Sequence, residues 1–245
     1  MKQIAIITSF ALLVLSIYFS FNIYVYLVLN DWSFLIPDLG SSQIGRILMG
    51  VHFIFGLSCM FGYCSQLITS YLVSIKLFYW WHKINGVYVH ISAVITGLCG
   101  MIYVIVHGTI GGIVMDLGFF IFGLLFTLCP IASICIIWHQ KYFNQYHLVM
   151  TNLFAALIFS SLFYRVQYMT AKFVGYPIPN NTHTDLYTRP LDRIFQFSFF
   201  LVPLLAVIIY HLTYKNESIR IFLQIMNTVI WFTIVGIVSA NLFSQ

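Results

Sequence analysis

Two histidines, His82 and His147, stand at the starts of two long apolar stretches of this chain. In lipid, an ionisable side chain has to face a bundle interior or a cavity, so each is a candidate functional residue. At 100° per residue, His82, Gly86, Ala93, Gly97, Gly100 and His107 fall on one helical stripe less than a right angle wide. One face of that helix is therefore made of small residues with a histidine at either end. Small residues let helices approach closely, and they also leave room for a flat ligand between helices. The preceding stretch repeats the theme, with His52, Gly56, Cys59, Tyr63 and Gln66 on one face. Further on, His147, Thr151 and Arg165 share a face, the first and last about 27 Å apart at the helical rise.

Antiparallel threading sorts these residues into two levels. His82 and His147 meet at one boundary, with His139 nearby, while His52, His107 and Arg165 collect toward the other. Two imidazoles approaching from different helices at one depth are the arrangement that holds a haem iron from both faces. The expected ligands are His82 and His147, with Gly86, Gly97 and Arg165 around the group, and His52 and His107 as a second candidate pair. Other readings stand beside this one. A histidine at a membrane boundary can hydrogen-bond water, headgroups or a helix end, and the glycines can be packing contacts. Arg165 can pair with Asp116 or a haem propionate, bind a lipid phosphate or meet loop carbonyls. His90 reads as a satisfied interior histidine.

The elements that must carry these residues follow from composition. Of 245 residues, 61% are hydrophobic and only 7% charged, with a formal net charge of +5. A soluble domain would carry about a quarter of its residues as charges, so most of this surface faces lipid. The 11 basic residues are too scattered to follow a phosphate backbone, which excludes nucleic-acid binding. Nucleotide-driven and hydrolytic chemistry lack a Gly-rich phosphate loop, an HExxH pair or a G-x-S-x-G elbow. The five cysteines lie in apolar stretches without zinc spacing and read as small buried hydrophobes.

Apolar runs long enough to cross a bilayer fall at Ile4–Leu29, Ile47–Ile75, Ile84–Val106, Leu117–Trp138, Leu148–Phe173, Ile194–Leu212 and Ile219–Phe243. The runs are continuous, where barrel strands would alternate over about ten residues. The expected fold is all-α: a polytopic membrane helix bundle of about seven transmembrane helices in a single domain, residues 1–245, with spans two to five as a four-helix core. Residues 213–243 form an extra C-terminal span. Lys2, Lys76, Lys83, Lys141, Lys215 and Arg220 fall on one side, against Arg46, Lys172, Arg189 and Arg193 on the other. The excess puts the N-terminus inside and the C-terminus outside.

His52 and Gln66 on one span are followed by His82-Lys83-x-x-Gly86-x-Tyr88, the pair Gly111-Gly112, Gly118-Phe119, His147-x-x-Met150 and Arg165. This order resembles a family of predicted membrane proteins catalogued as a domain of unknown function, over roughly residues 48–205. That family reads His-Arg-x-x-Gly-Arg-x-Tyr and later His-Arg-x-Trp-Met with a downstream Arg. Here Lys83, Val87, Leu148 and Val149 replace the three arginines and the tryptophan, and Tyr88 and Met150 each fall one residue early. The bundle is also similar to diheme transmembrane cytochromes b, in which four core helices supply two histidine pairs. That resemblance implies one haem b between His82 and His147. His52 finds no partner on Leu117–Trp138, which contains no histidine.

The function expected from the sequence is an integral membrane b-type-haem electron-transfer protein of an energy-transducing inner membrane, bacterial or mitochondrial. Because one haem at one side cannot carry electrons across the bilayer, a quinone, a second haem or a partner redox subunit is expected with it. The competing expectation is a haem-free accessory subunit, packed by its glycine faces against other subunits of a respiratory complex, with bound lipid.

Overall fold

A computed structural model describes residues 42–70, 72–108 and 112–138, together with the helical pair Leu157 and Ile158. Three long helices make up these segments: α1 (Gln43–Ser70), α2 (Lys76–His107) and α3 (Gly112–Trp138). All three are long and apolar enough to cross a membrane. The described chain is thus helical and of membrane type. Spans one, six and seven lie outside the described residues, as does span five apart from Leu157 and Ile158. So do the four-helix core, the terminal orientation, His139, His147 and Arg165.

The ends of α1 are set by hydroxyl groups that a hydropathy window does not register. Ser42 caps the helix: its Oγ accepts the Gly45 N–H at 3.1 Å, and its carbonyl accepts the Arg46 N–H at 3.1 Å. At the other end, Ser70 Oγ donates to the Leu67 carbonyl at 2.7 Å, and Leu72 N–H closes a turn on the Thr69 carbonyl at 2.9 Å. The helix therefore starts four residues before the expected Ile47 and stops at Ser70. Apolar Leu72 and Val73 lie in the turn that follows.

The second helix departs further from expectation. It begins at Lys76, eight residues ahead of the expected Ile84. The added stretch, Lys76-Leu-Phe-Tyr-Trp-Trp-His-Lys, is rich in aromatic and cationic side chains that suit the membrane boundary and do not interrupt a helix. His82, expected at the start of this span, consequently lies well inside the helix. At its far end His107 is the last helical residue, and Gly108 follows at φ +70°, where a side chain would be strained. Gly108 N–H donates to the Val104 carbonyl at 2.9 Å. The third helix starts at Gly112 rather than Leu117 and runs through Pro130. Pro130 has no N–H, which removes the intrahelical donor for the Phe126 carbonyl.

The three helices run up, down and up. Along α1 and α2 the contacts descend in antiparallel order: Gly45 with His107, His52 with Thr96, Gly62 with Val89, Gln66 with His82. The interior holds Phe53, Cys59, Cys64, Val89, Ala93, Met101, Phe126 and Cys129. Leu157 and Ile158 are also buried, each 2% exposed. Large apolar side chains such as Ile84, Ile91, Ile105 and Leu128 stay exposed, as a lipid solvent permits. The cysteines are free thiols; Cys59, Cys64 and Cys129 are buried as expected, while Cys99 is half-buried and Cys135 exposed.

Candidate functional site

Where α1 and α2 meet near the turn that joins them, six polar side chains form a seam. Ser65, Gln66 and Thr69 come from α1, and Trp81, His82 and Asn85 from α2. Each set spans little more than one helical turn, so its members share a side of their helix. Polar groups in lipid favour partners, and each of these side chains takes part in a hydrogen bond between the two helices. Asn85 Nδ2 donates to the Gly62 carbonyl at 2.7 Å, Trp81 Nε1 to Ser65 Oγ at 2.8 Å, and Gln66 Nε2 to the His82 carbonyl.

Thr69 links the His82 ring to the backbone of α1. Thr69 Oγ1 donates to the Ser65 carbonyl at 2.8 Å, with the Gln66 carbonyl at 3.3 Å as a second, longer acceptor. The same oxygen lies 2.9 Å from His82 Nδ1, where the tautomer decides which atom donates. In one tautomer the threonine donates to Nδ1; with the threonine proton on the Ser65 carbonyl instead, Nδ1 carries the imidazole proton and the lone pair is on Nε2. This is the arrangement in which an outer hydrogen bond orients an imidazole so that its other nitrogen can bind a metal.

The other histidines keep the same habit. His52 Nδ1 donates to the Thr96 carbonyl at 2.9 Å, and His90 Nδ1 to the Gly86 carbonyl of its own turn at 2.6 Å. His107 Nε2 lies 3.2 Å from the capping Ser42 Oγ. The ring of His107 also stands beside Tyr103, centroids 5.2 Å apart. His52 and His107 thus occupy the end of the α1–α2 pair opposite His82, as two separate clusters. His52 packs over Gly100, and His107 over Gly45.

The small-residue stripe of α2 is divided between two neighbours. Gly86 faces α1, where a Cβ would lie 3.2 Å from Gln66 Nε2. Gly97 faces α3 at a crossing where backbone nearly touches backbone: a Cβ there would meet Thr127 Oγ1 and lie 2.8 Å from the Gly123 carbonyl oxygen. Thr127 Oγ1 itself donates to that carbonyl at 2.8 Å. The space beside both glycines is taken by protein atoms. Among the described residues, no three His, Cys, Asp or Glu side chains come together in a group that could hold a metal ion.

Sequence reasoning did not anticipate Thr69 and Asn85. The available signal was polar residues inside apolar spans, Asn85 three positions after His82. Trp81, expected in an aromatic belt, also closes the seam through Ser65. Comparison with protein-family models, with curated proteins and with solved structures finds no match for this chain.

Proposed function

We propose that this chain is an integral membrane electron-transfer protein holding one b-type haem, with His82 and His147 as its axial ligands. The observation that carries the reading is the 2.9 Å contact between Thr69 Oγ1 and His82 Nδ1. With the threonine proton on the Ser65 carbonyl, Nδ1 donates to Thr69 and the lone pair resides on Nε2, the nitrogen that would meet the iron. A haem iron so ligated would take up and release one electron at a time. The chain's own part is to hold the imidazole in one tautomer and one orientation and to surround it with apolar walls. Gly86 and Gly97 enter this reading as helix contacts that fix the bundle, since Gln66 and the Gly123–Thr127 turn fill the space beside them. An energy-transducing inner membrane is the setting that such a role requires, with a quinone or a redox subunit as the exchange partner.

One observation favours a second reading, a haem-free accessory subunit of a membrane complex. The close α2–α3 crossing at Gly97 and Gly123, where backbone nearly meets backbone, is what a packing scaffold needs. A reduced-minus-oxidised absorption spectrum of the purified protein, quantified as pyridine haemochrome, separates the two. The haem reading expects a b-type band at one haem per chain, lost in His82→Ala and in His147→Ala. A colourless, folded wild type that stays colourless after haem reconstitution sinks it and leaves the accessory reading.

A further inference from the structure

The first two turns of α2 carry a feature that neither reading uses. Lys76, Trp80 and Lys83 recur at i, i+4 and i+7, within about 60° of one another around the helix, and Tyr79 lies beside them. His82 and Asn85, which face α1, lie on the other side of the helix. Both lysines are exposed, Trp80 is 56% and Tyr79 51% exposed, and no ion pair engages either lysine among the described residues. Among the described residues this charge is uncompensated as well as exposed. Neither α1 nor α2 contains an acidic residue, and the acid that follows them, Asp116, sits by Gly108 at the far end of α2. Of the remaining acids, the seven-span reading brings only Glu217 to the Lys76 end, and it lies outside the described residues.

The length of α2 sets the depth of this face. Its 32 residues make a rod about 48 Å long, against a hydrocarbon core of about 30 Å. A helix of that length standing along the bilayer normal extends roughly 18 Å beyond the core into the headgroup regions, and the lysine–tryptophan face spans about 12 Å at its start. Lysine ammonium groups on flexible stems reach phosphates at that depth, and tryptophan rings rest against the glycerol and upper acyl region. Ile75 provides no side-chain cap, so the positive end of the helix dipole adds to the same field.

We propose that Lys76, Tyr79, Trp80 and Lys83 form a binding site for an anionic phospholipid of the surrounding bilayer, its phosphate held by the two lysines and its glycerol region lying against Trp80. The full chain is reconstituted into nanodiscs of phosphatidylcholine containing a fixed fraction of brominated phosphatidylglycerol or, separately, brominated phosphatidylcholine, and tryptophan quenching is compared. The expected result is stronger quenching by the anionic lipid, with apparent affinity falling about fivefold for each lysine removed in Lys76→Gln and Lys83→Gln. Arg46→Gln, at the opposite end of α1, leaves the preference unchanged. Trp80→Phe abolishes most of the differential signal while the bound lipid still co-purifies, as read by mass spectrometry. Equal quenching by the two lipids, a preference that survives the double lysine substitution, or one carried by a tryptophan other than Trp80 would each overturn the proposal.

Discussion

Thr69 Oγ1 lies 2.9 Å from Nδ1 of His82 and donates to the carbonyl of Ser65, 2.8 Å away. Two helices are joined through one hydroxyl. Replacing Thr69 with valine keeps the shape and removes that hydroxyl. Nδ1 of His82 then loses its partner, at a cost of about 1–3 kcal/mol. Thr69→Ser restores the hydroxyl and should recover most of the loss. Thermal unfolding of the purified chain in detergent checks the order wild type, then serine, then valine. Where haem is bound, the valine variant should also hold it about 10–100-fold more weakly, because the orienting partner of the ligand is gone. A valine variant as stable as wild type would remove this bond from the account.

Gly97 and Gly56 give opposite expectations for the same substitution. Gly97→Ala places a methyl group 2.8 Å from the Gly123 carbonyl and against Thr127 Oγ1, both fixed in the facing helix. The helices have to separate, which costs about 1–3 kcal/mol and outweighs the roughly 1 kcal/mol that alanine gains over glycine in a helix. At Gly56 the new methyl group would meet Thr96, with Cγ2 at 3.5 Å and Oγ1 at 4.0 Å, both ordinary van der Waals contacts. Gly56→Ala should therefore be neutral or slightly stabilising. Comparing the two melting curves in one detergent tests the pair, and equal effects of both substitutions would contradict the crossing described for α2 and α3.

Asn85 is 7% exposed and anchors the seam from the α2 side by donating to the Gly62 carbonyl at 2.7 Å. Truncation to alanine removes that donor and leaves a small gap against α1. The expected loss is about 0.5–2 kcal/mol, the usual range for a single polar contact between membrane helices. Asn85→Gln, which keeps the amide but displaces it by one methylene, should fall between alanine and wild type in the same unfolding measurement.

The sequence made one face legible and blurred another for a physical reason. His52, Gly56 and Gln66 share a phase, and the structure turns all three toward α2. Among the described residues a single helix packs along that face, so periodicity alone identifies it. On α2 the stripe from His82 to His107 has the same regularity, yet Gly86 and Gly100 meet α1 while Gly97 meets α3. Two helices seated on adjacent sectors of a third look like one broad face in a helical projection. Boundaries were less legible than phases, because Ser42, Ser70 and the Lys76–Lys83 turns act through caps and headgroup-level side chains rather than through hydropathy. The pairing of Thr69 with His82 joins residues on two helices across the turn between them, and spacing within one helix cannot reveal it.

At the opposite end of the pair, Ser42, Gly45 and His107 form a coupled set whose members can be separated by substitution. Ser42→Ala removes the acceptor for the Gly45 N–H and should cost about 1 kcal/mol, as the loss of a helix cap does. Gly45→Ala acts differently, because the new methyl group would lie 2.8 Å from His107 Nε2. The exposed ring can swing away, but only by giving up its 3.2 Å contact with Ser42 Oγ. The expected cost is about 1 kcal/mol, offset in part by the helix preference of alanine. In the His107→Ala background the obstruction is gone, so the same Gly45→Ala change should stabilise. A double-mutant cycle would then show a coupling of about 1 kcal/mol between positions 45 and 107 and almost none between positions 45 and 82. Additive effects at 45 and 107 would mean that the start of α1 and the end of α2 do not meet as described.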